Sequence, residues 1–317
     1  MTTGLEVERL LNDRAGAHVT ATRPRVSVVI PAFQEERGIG EVVRAVRQVL
    51  GPDAEILVVD DGSIDGTARI AEAAGAQVLS HPYNIGNGAA VKTGLRAARG
   101  AAVVLMDGDG QHAPEDIPRF LALLDRYDMV VGARTVGSRG RFHRTLANRA
   151  YNGLASYVCA RSIPDLTSGF RAARADVIRR FIYLLPNTFS YPTTLTLGMF
   201  RAGHRVAFEP IAVRPRVGKS KIRLLEDGSR FVLIILKIAT LYAPFRVFLP
   251  VSLLFLVAGA ANYAYTYATA GRFTNMSGLM LANSVLVFLL SLIAEQIAQL
   301  RLDRTESDAT WERRREP

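Results

Sequence analysis

Two aspartates that could hold a cation follow an apolar run near the middle of the chain. The run covers residues 101–105, and the segment after it, residues 106–112, reads MDGDGQH, with carboxylates at Asp107 and Asp109. Carboxylates at the end of a buried strand are costly unless a cation or hydrogen bonds compensate them. A divalent cation is one such partner, and an ordinary Asp-Gly turn is the alternative. The rest of the sequence has to distinguish a metal site from a turn.

Acidic residues also follow the first two predicted strands. Residues 31–35 (PAFQE) end the first strand, and residues 60–67 (DDGSIDGT) end the second. In open α/β sheets, ligands bind at the carboxyl ends of the strands. Three acidic strand ends side by side would repel one another unless a cation or a basic ligand joins them. We therefore expect one shared site, although Asp60 and Asp61 could instead cap the helix that begins near Thr67.

The region from residue 26 to residue 213 alternates short apolar runs with amphipathic stretches. Strand-helix alternation with nearly continuous apolar strands predicts an α/β fold, in which a mostly parallel sheet is flanked by helices. The predicted strands cover residues 26–30, 55–59, 76–79, 102–106 and 129–132, and the predicted helices cover residues 40–50, 67–74, 88–99 and 114–125.

Several common site types are absent from the sequence. No G-x-G-x-x-G turn follows the first strand and no G-x-x-x-x-G-K-[ST] segment occurs, which disfavours a dinucleotide-binding dehydrogenase and a P-loop. The single cysteine, Cys159, excludes an intrachain disulfide, and the five histidines lack the spacing of a zinc site. The first 25 residues have no apolar core typical of a secretory signal, so a catalytic part, if there is one, is expected in the cytoplasm.

The chain is basic, with 39 Lys and Arg against 29 Asp and Glu and a formal net charge of +10. This excess suits anionic partners such as nucleic acid, phosphorylated small molecules or an anionic membrane surface. The cations cluster beside the apolar segments described next, and no aromatic residues are interleaved with them. The pattern therefore disfavours nucleic acid and favours a membrane with phosphorylated ligands.

Two apolar segments near the carboxyl terminus are each long enough to cross a bilayer core of roughly 30 Å as helices. They cover residues 247–268, which carry no charge, and residues 278–298, whose only charge is Glu295. Cations flank the pair on its outer sides, and the turn between the segments has one. This distribution predicts a transmembrane hairpin with both termini in the cytoplasm, and two buried helices of a soluble core are the alternative. The flanking cations are Lys237, Arg246, Arg301, Arg304 and residues 313–315.

Just before the hairpin, three cations recur at seven-residue intervals along an apolar stretch. Arg223, Arg230 and Lys237 fall on one face of a helix over residues 222–242. An amphipathic helix at the lipid headgroups explains the pattern, and a buried helix with one solvated stripe is the alternative. The predicted organisation is an extension (1–24), a catalytic domain (25–221), an interfacial segment (222–243), two transmembrane helices (244–300) and a basic tail (301–317).

The motifs, taken in order, resemble those of glycosyltransferase family 2, which has the Rossmann-like GT-A fold. They are residues 26–35 (VSVVIPAFQE), 58–67 (VVDDGSIDGT), 84–88 (NIGNG) and 106–112 (MDGDGQH). Residues 132–134 (GAR), 165–171 (DLTSGFR) and 218–221 (GKSK) are similar to the dolichol-phosphate mannose synthase branch. The chain departs from the family pattern at Gln34, Asn87 and Ala113, where Asn, Lys and Pro are common.

The resemblance implies a donor site at the acidic strand ends. Asp107 and Asp109, with Gln111 close by, would hold Mg²⁺ or Mn²⁺ on the diphosphate of a nucleotide sugar; these ions prefer oxygen ligands. An ordinary turn is the alternative for Gln111 and His112. The remaining residues assigned to the nucleotide sugar are Pro31, Phe33, Glu35, Asp60, Asp61, Gly88 and Gly108.

The resemblance also implies an acceptor site made of basic side chains. Arg134 and Arg144 match positions that bind a lipid phosphate, and the planar guanidinium pairs well with phosphate oxygens. Asp165 would orient the acceptor or line the sugar pocket, or cap a turn. Further basic residues assigned to the acceptor phosphate are Arg149, Arg216, Lys219 and Lys221.

The predicted function is transfer of a sugar from a nucleotide sugar to a polyprenyl or dolichyl phosphate, with inversion, at the cytoplasmic face of the cell membrane. GDP-mannose and UDP-glucose are the leading donors, and a homo-oligomer is possible. A processive polysaccharide synthase is one alternative, but its Q-x-x-R-W motif is missing and the only tryptophan is Trp311. A membrane-tethered nucleotide-sugar-binding protein without activity is the other.

Overall fold

The computed structural model describes residues 25–135, 152–153, 155–157, 159–187, 191–214, 240 and 243–313, with side chains described as far as residue 300.

The described chain forms one sheet of seven strands in the order β3-β2-β1-β4-β6-β5-β7. Every neighbouring pair is parallel except those that involve β6, which runs antiparallel to both β4 and β5. The strands are β1 (Val26–Ala32), β2 (Glu55–Asp60), β3 (Gln77–Ser80), β4 (Ala102–Leu105), β5 (Met129–Arg134), β6 (Arg171–Arg174) and β7 (Val206–Ile211).

Helices cover both faces of this sheet, and two long helices follow it. The α-helices with bounds are α1 (Ile39–Leu50), α2 (Thr67–Ala73), α3 (Asn87–Ala97), α4 (Ile117–Leu123), α5 (Ala175–Ile178), α6 (Tyr191–Arg201), α7 (Pro244–Ala270) and α8 (Asn275–Arg313). Two 3₁₀ helices, Pro114–Asp116 and Arg179–Leu184, precede α4 and follow α5.

Both faces of the central strands are buried, as their continuous apolar sequences predict. On one face, the core includes Ile39 and Val43 of α1 and Phe120 of α4. On the other face, it includes side chains from α3 and α6. Helix α3 lies so close to β1 that a Cβ on Gly94 would stand 2.3 Å from a methyl carbon of Val29. The sheet is therefore the middle layer of an α/β domain.

The predicted α/β fold and all five predicted strands are confirmed. Strand β1 continues two residues further than expected, to Ala32, and the predicted helix over 114–125 begins as a 3₁₀ turn before α4. Strands β6 and β7 and helix α6 were not predicted individually. The antiparallel β6 is the feature that most affects the site described below.

The amino-terminal edge of the sheet has a buried carboxylate of its own. Glu55 accepts hydrogen bonds from the Ser27 hydroxyl, from the Arg99 backbone N–H (2.8 Å) and from Arg99 Nε (2.7 Å). Burial alone would raise the pKa of Glu55, but these hydrogen bonds outweigh it and hold the pKa below its ordinary value. This network ties together the starts of β1, β2 and β4.

Helices α7 and α8 form an antiparallel hairpin with a polar seam and an apolar outer surface. Ser252 Oγ donates to the Ser284 carbonyl (2.9 Å), and Asn262 Nδ2 donates to Ser277 Oγ (2.8 Å). Gly271, with φ 59°, ends α7 in the left-handed conformation that glycine adopts without strain. Both helices are long and apolar enough to cross a membrane, and only a small part of their surface is buried. The predicted interfacial segment lies outside the described residues except for Thr240 and Ala243.

Candidate active site

The sheet order places the acidic strand ends next to one another. Strand β1 lies between β2 and β4 and is parallel to both, so their carboxyl ends meet at one edge of the sheet. Phe33 and Glu35 follow β1, Asp60 ends β2 and Asp61 follows it, and the Asp107-Gly108-Asp109 segment follows β4. The expected meeting of these strand ends is therefore present.

Asp107 lies against the backbone of Gly169. A Cβ built on Gly169 would be 2.5 Å from Asp107 Oδ2 and 2.9 Å from Oδ1, which is closer than real Cβ contacts. Residue 169 reaches this place because β6 is antiparallel, so its first residue, Arg171, lies beside Leu105 at the carboxyl end of β4 and beside Val131 of β5. Gly169 is thus a site residue that the sequence did not single out, although it belongs to the DLTSGFR motif.

Gly108 and Gln111 fix the rest of the Asp107–Asp109 loop. A Cβ on Gly108 would lie 3.4 Å from the Pro31 carbonyl oxygen, so the loop packs closely on the end of β1. The Gln111 N–H donates to Asp109 Oδ1 (3.2 Å), and the Gln111 carbonyl accepts from the Arg214 N–H (2.9 Å). The loop is therefore held between β1 and the segment that follows β7.

His112 is a buried neighbour of the aspartates rather than a surface turn residue. Its ring stacks on Phe170 with centroids 5.0 Å apart, and its Nδ1 lies 4.0 Å from Asp107 Oδ2. That nitrogen is buried and has no hydrogen-bond partner in the described part of the chain. Burial lowers the pKa of His112 to about 4, so the ring is neutral at pH 7.

Arg134 and Asp165 form a two-pronged ion pair at the end of β5. Arg134 Nε donates to Asp165 Oδ2 (2.7 Å), Nη2 donates to Oδ1 (2.8 Å), and the Arg134 backbone N–H also reaches Oδ2 (3.1 Å). Burial works against both charges, yet the pair raises the pKa of Arg134 and lowers that of Asp165. The resemblance assigns Arg134 to the acceptor phosphate and gives Asp165 to the acceptor, the sugar pocket or a turn cap, and the structure adds that the two side chains bind each other. Asp165 also caps its own turn, because Oδ1 accepts from the Thr167 N–H (3.2 Å).

Arg171 is a fully buried cation beneath this site. Its guanidinium donates to the carbonyls of Ser168 (2.8 Å) and Leu166 (3.1 Å) and to Thr196 Oγ1 (2.7 Å). Burial lowers the pKa of Arg171 to about 10, while the charges of Asp165 and Asp107 act in the opposite direction. Arg171 is therefore charged at pH 7 and offsets the carboxylates above it.

Two loops at the ends of β1 and β2 are joined by backbone-to-side-chain hydrogen bonds. The Gln34 N–H donates to Ser63 Oγ (2.9 Å), and the Glu35 N–H donates to Thr67 Oγ1 (2.9 Å). Asp60 Oδ1 accepts from the Ser63 N–H (3.2 Å). Gln34 has φ 54°, a left-handed conformation that is uncommon for a residue other than glycine. These contacts hold the predicted nucleoside end of the site.

Asp61 holds a neighbouring loop. Its carboxylate accepts hydrogen bonds from the Ile85 N–H (3.0 Å) and the Gly86 N–H (2.8 Å), and it pairs with His81 Nδ1 (2.7 Å). Only 2% of Asp61 is exposed. Asp61 therefore positions the loop that leads into α3. Gly88 lies buried in the first turn of that helix.

The remaining predicted acceptor residues lie outside the described residues. They are Arg144, Arg149, Arg216, Lys219 and Lys221, together with the cations predicted for the interfacial helix, Arg223, Arg230 and Lys237. The described part of the site therefore contains the acidic edge, the Arg134–Asp165 pair and the buried Arg171.

Comparisons with known proteins identify families and relatives that the chain resembles. Residues 27–182 match the family described as "Glycosyl transferase family 2", and residues 243–300 match the "GtrB C-terminal hairpin". An undecaprenyl-phosphate mannosyltransferase of Micrococcus luteus is 31% identical over 214 residues, which cover 62% of this chain and 87% of that protein.

A second relative matches over a shorter part of its length. The undecaprenyl-phosphate 4-deoxy-4-formamido-L-arabinose transferase of Enterobacter sp. (strain 638) is 33% identical over 184 residues. The match covers 52% of this chain, and the chain spans little more than half of that relative, 56% of its length.

Among solved structures, the chain is similar to a glucosyl-3-phosphoglycerate synthase from Mycobacterium tuberculosis crystallised with Mg²⁺ and uridine diphosphate. The TM-score is 0.56 at 27% identity, and the match covers 69% of this chain and 81% of that one.

Proposed function

Because the chain belongs to glycosyltransferase family 2, we propose that it transfers a single sugar from a nucleotide sugar to a polyprenyl phosphate in the membrane. One observation carries the proposal. The acidic edge around Asp107 and the Arg134–Asp165 pair meet at the same end of the sheet, in a chain whose carboxyl-terminal part is an apolar hairpin. The acidic edge suits the metal-bound diphosphate of the donor. Arg134 and the apolar hairpin suit an acceptor that is a phosphate on a membrane lipid.

The donor diphosphate is assigned to the loop after β4. Asp107 and Asp109 offer carboxylate oxygens and Gln111 offers an amide oxygen, which fit Mg²⁺ or Mn²⁺. The described residues contain no group of three His, Cys, Asp or Glu side chains that could enclose a cation by themselves. Two carboxylates suit an ion that also takes oxygens from its substrate's phosphates. When bound, such an ion neutralises charge on the diphosphate leaving group. The Mg²⁺ and uridine diphosphate of the similar synthase support this assignment.

The nucleoside is assigned to the ends of β1 and β2. Pro31, Phe33, Glu35 and Asp60 line that edge, and the hydrogen bonds from Gln34 and Glu35 to the β2 loop hold it in place. Asp61 and Gly88 act through the turn into α3 rather than by direct contact. Mannose and glucose nucleotides are the proposed donors.

The acceptor phosphate is assigned to Arg134, with the basic residues at 144, 149, 216, 219 and 221. The side chain of Arg134 is 31% exposed and is oriented by Asp165, so its guanidinium is fixed before the ligand arrives. A phosphate is already anionic at pH 7, and its oxygen attacks the anomeric carbon as the bond from that carbon to the diphosphate breaks. No proton has to be removed, so Asp165 serves to orient the acceptor site, and the attack from the opposite side inverts the anomeric centre.

The hairpin places this chemistry beside the bilayer. We assign the catalytic domain and both termini to the cytoplasmic side of the cell membrane on the basis of the flanking cations. The lipid acceptor is then confined to the surface on which the catalytic domain sits, which raises its effective concentration.

The function is tested with the full chain in vesicles that contain a polyprenyl phosphate. Labelled nucleotide sugars are added with Mg²⁺ or Mn²⁺, and label is counted in the organic phase. We expect one sugar per lipid for one donor class, and a loss of about 10²-fold or more in Asp109→Asn. Asp176→Asn changes an exposed carboxylate elsewhere on the domain and is the matched control.

Three outcomes would contradict the proposal. Polymer in place of a single transferred sugar would indicate a processive synthase. Donor binding without transfer from any nucleotide sugar would indicate a binding protein. Equal activity of Asp109→Asn and the parent chain would remove the role of the aspartate pair.

A further inference from the structure

The catalytic domain and the membrane hairpin are joined by a charged contact. Glu295 of α8 pairs with the guanidinium of Arg201, the last residue of α6. The second carboxylate oxygen of Glu295 accepts from the backbone N–H of Phe245 at the start of α7 (3.3 Å). The exposed fractions of the two side chains are 18% for Glu295 and 29% for Arg201, so both are largely shielded.

The start of α7 makes a second set of contacts with the catalytic domain. Arg246 Nη1 donates to the Tyr157 carbonyl (2.7 Å), and the Tyr157 hydroxyl donates to the Arg246 carbonyl (3.1 Å). Ala243 is buried, and Cys159 and Val247 pack against it. The first turn of α7 and the Glu295 turn of α8 therefore meet the domain at one place.

Within the apolar parts of the two helices, the charged side chains are concentrated at this contact. Across residues 244–270 and 275–300 the sequence has two charged side chains, Arg246 and Glu295, and both contact the catalytic domain. A carboxylate in an apolar helix at the membrane boundary is costly without a partner. Arg201 supplies that partner from outside the hairpin, so the ion pair between Arg201 and Glu295 forms only when the catalytic domain is docked on the hairpin.

We propose that Arg201 and Glu295 are positioning residues that dock the catalytic domain on the hairpin and so fix the height and tilt of the active site above the bilayer. The effect of docking on transfer to a lipid acceptor rests on the proposed function. The docking contact itself does not depend on that function. Helix α6 links the contact to the site, because its Thr196 accepts a hydrogen bond from the buried Arg171. Glu295 lies on α8 and is not connected to Arg171 in this way. A substitution at Glu295 is therefore expected to alter docking and to leave the residues of the donor site in place.

Docking is measured without reference to activity by a disulfide across the interface. Ala243→Cys places a thiol against the natural Cys159, and mild oxidation by copper phenanthroline in vesicles joins the two when the domain is docked. We expect rapid cross-linking in this background and cross-linking about tenfold slower after Glu295→Gln, because a charge-assisted hydrogen bond is lost. Arg174→Gln breaks an exposed ion pair with Asp176 on the same domain and is the control expected to leave the rate unchanged.

The functional consequence is measured with two acceptors in the natural background. One is a long-chain polyprenyl phosphate in vesicles, and the other is a short, water-soluble prenyl phosphate. We expect Glu295→Gln to slow transfer to the long lipid by about tenfold and to leave transfer to the soluble acceptor within about twofold. Arg201→Gln combined with Glu295→Gln should be no slower than the slower single variant, since the two residues form one contact.

Unchanged cross-linking in Glu295→Gln would overturn the docking role, as would an additive loss in the double variant. An equal loss with both acceptors would overturn the positioning role, because the site itself would then be damaged. If the parent chain transfers sugar to neither acceptor, the proposed function fails, and the cross-linking result still decides the docking.

Discussion

We expect Gly169→Ala to remove most of the transferase activity while the domain stays folded. A Cβ at residue 169 would lie 2.5 Å from Asp107 Oδ2. Ordinary contacts between such atoms begin near 3.5 Å, so the carboxylate has to move by about 1 Å. The displaced atoms are the end of a flexible side chain, so the cost to folding is small. The cost to catalysis is large, because a misplacement of about 1 Å can lower a rate by about 10²-fold.

The assay compares initial rates over a range of Mg²⁺ and Mn²⁺ concentrations with nucleoside diphosphate binding measured by calorimetry. We expect kcat/KM to fall by about 10²-fold, and the metal needed for half-maximal rate to rise. Gly153→Ala is the matched control, since a Cβ at residue 153 has no neighbour within 4 Å. Its kinetics and its Tm should equal those of the parent chain.

Kinetics equal to those of the parent at the same metal concentration would show that the position of the Asp107 carboxylate is not critical. Loss of the thermal unfolding transition in Gly169→Ala would show that the contact supports the fold itself. Either result would refute the claim that a Cβ at residue 169 lowers the rate by displacing the Asp107 carboxylate.

Further predictions concern strain, charge, the acceptor and topology. Gln34→Gly should raise stability by about 0.5–1 kcal/mol, because φ 54° strains a residue that has a Cβ; a lower Tm would contradict this. Glu55→Gln should cost about 1–3 kcal/mol at pH 7. Because the folded pKa of Glu55 is lowered, its contribution is complete above the ordinary glutamate pKa and is lost as the pH falls through the folded value, so parent and variant should converge in acid unfolding curves. Arg134→Ala should raise the acceptor KM by about 10–150-fold and leave donor binding unchanged, and equal effects on both would argue against its role. In a chain without Cys159, cysteines at Asn275 and Ser307 should react with impermeant thiol reagents from opposite sides of the membrane, and labelling from one side would refute the hairpin.

The acidic edge of the site could be predicted because it depends on local sequence and one topological rule. Each apolar strand ends where its carboxylates begin, and parallel strands expose their carboxyl ends together. The rule needs no knowledge of distant contacts, so the placement of Asp60 and the Asp107–Asp109 loop at the same edge of the sheet could be predicted from the strands that they follow. The hairpin could be predicted for a similar reason, since hydropathy and flanking charge are local.

Strand β6 and the contacts around it could not be predicted in this way. Its sequence, Arg-Ala-Ala-Arg, has no apolar alternation or β-branched residue, so only pairing with β4 and β5 makes it a strand. The Arg134–Asp165 pair joins residues 31 positions apart, and the burial of Arg171 depends on carbonyls that only the folded loop supplies. His112 likewise becomes a buried neighbour of Asp107 through its stacking on Phe170.

The antiparallel β6 separates the two sides of the candidate site, which are the loop after β4 with Asp107 and the end of β5 with Arg134. Arg171 pairs with Leu105 of β4 on one side and with Val131 of β5 on the other. Strands lie about 4.8 Å apart, so β4 and β5 are separated laterally by about 10 Å, with β6 between them. In the proposed function, the sugar would lie across this gap, between the diphosphate assigned to the loop after β4 and the phosphate assigned to Arg134 at the end of β5. The buried guanidinium of Arg171 lies beneath this gap, where its positive charge offsets part of the negative charge of Asp107 and Asp165.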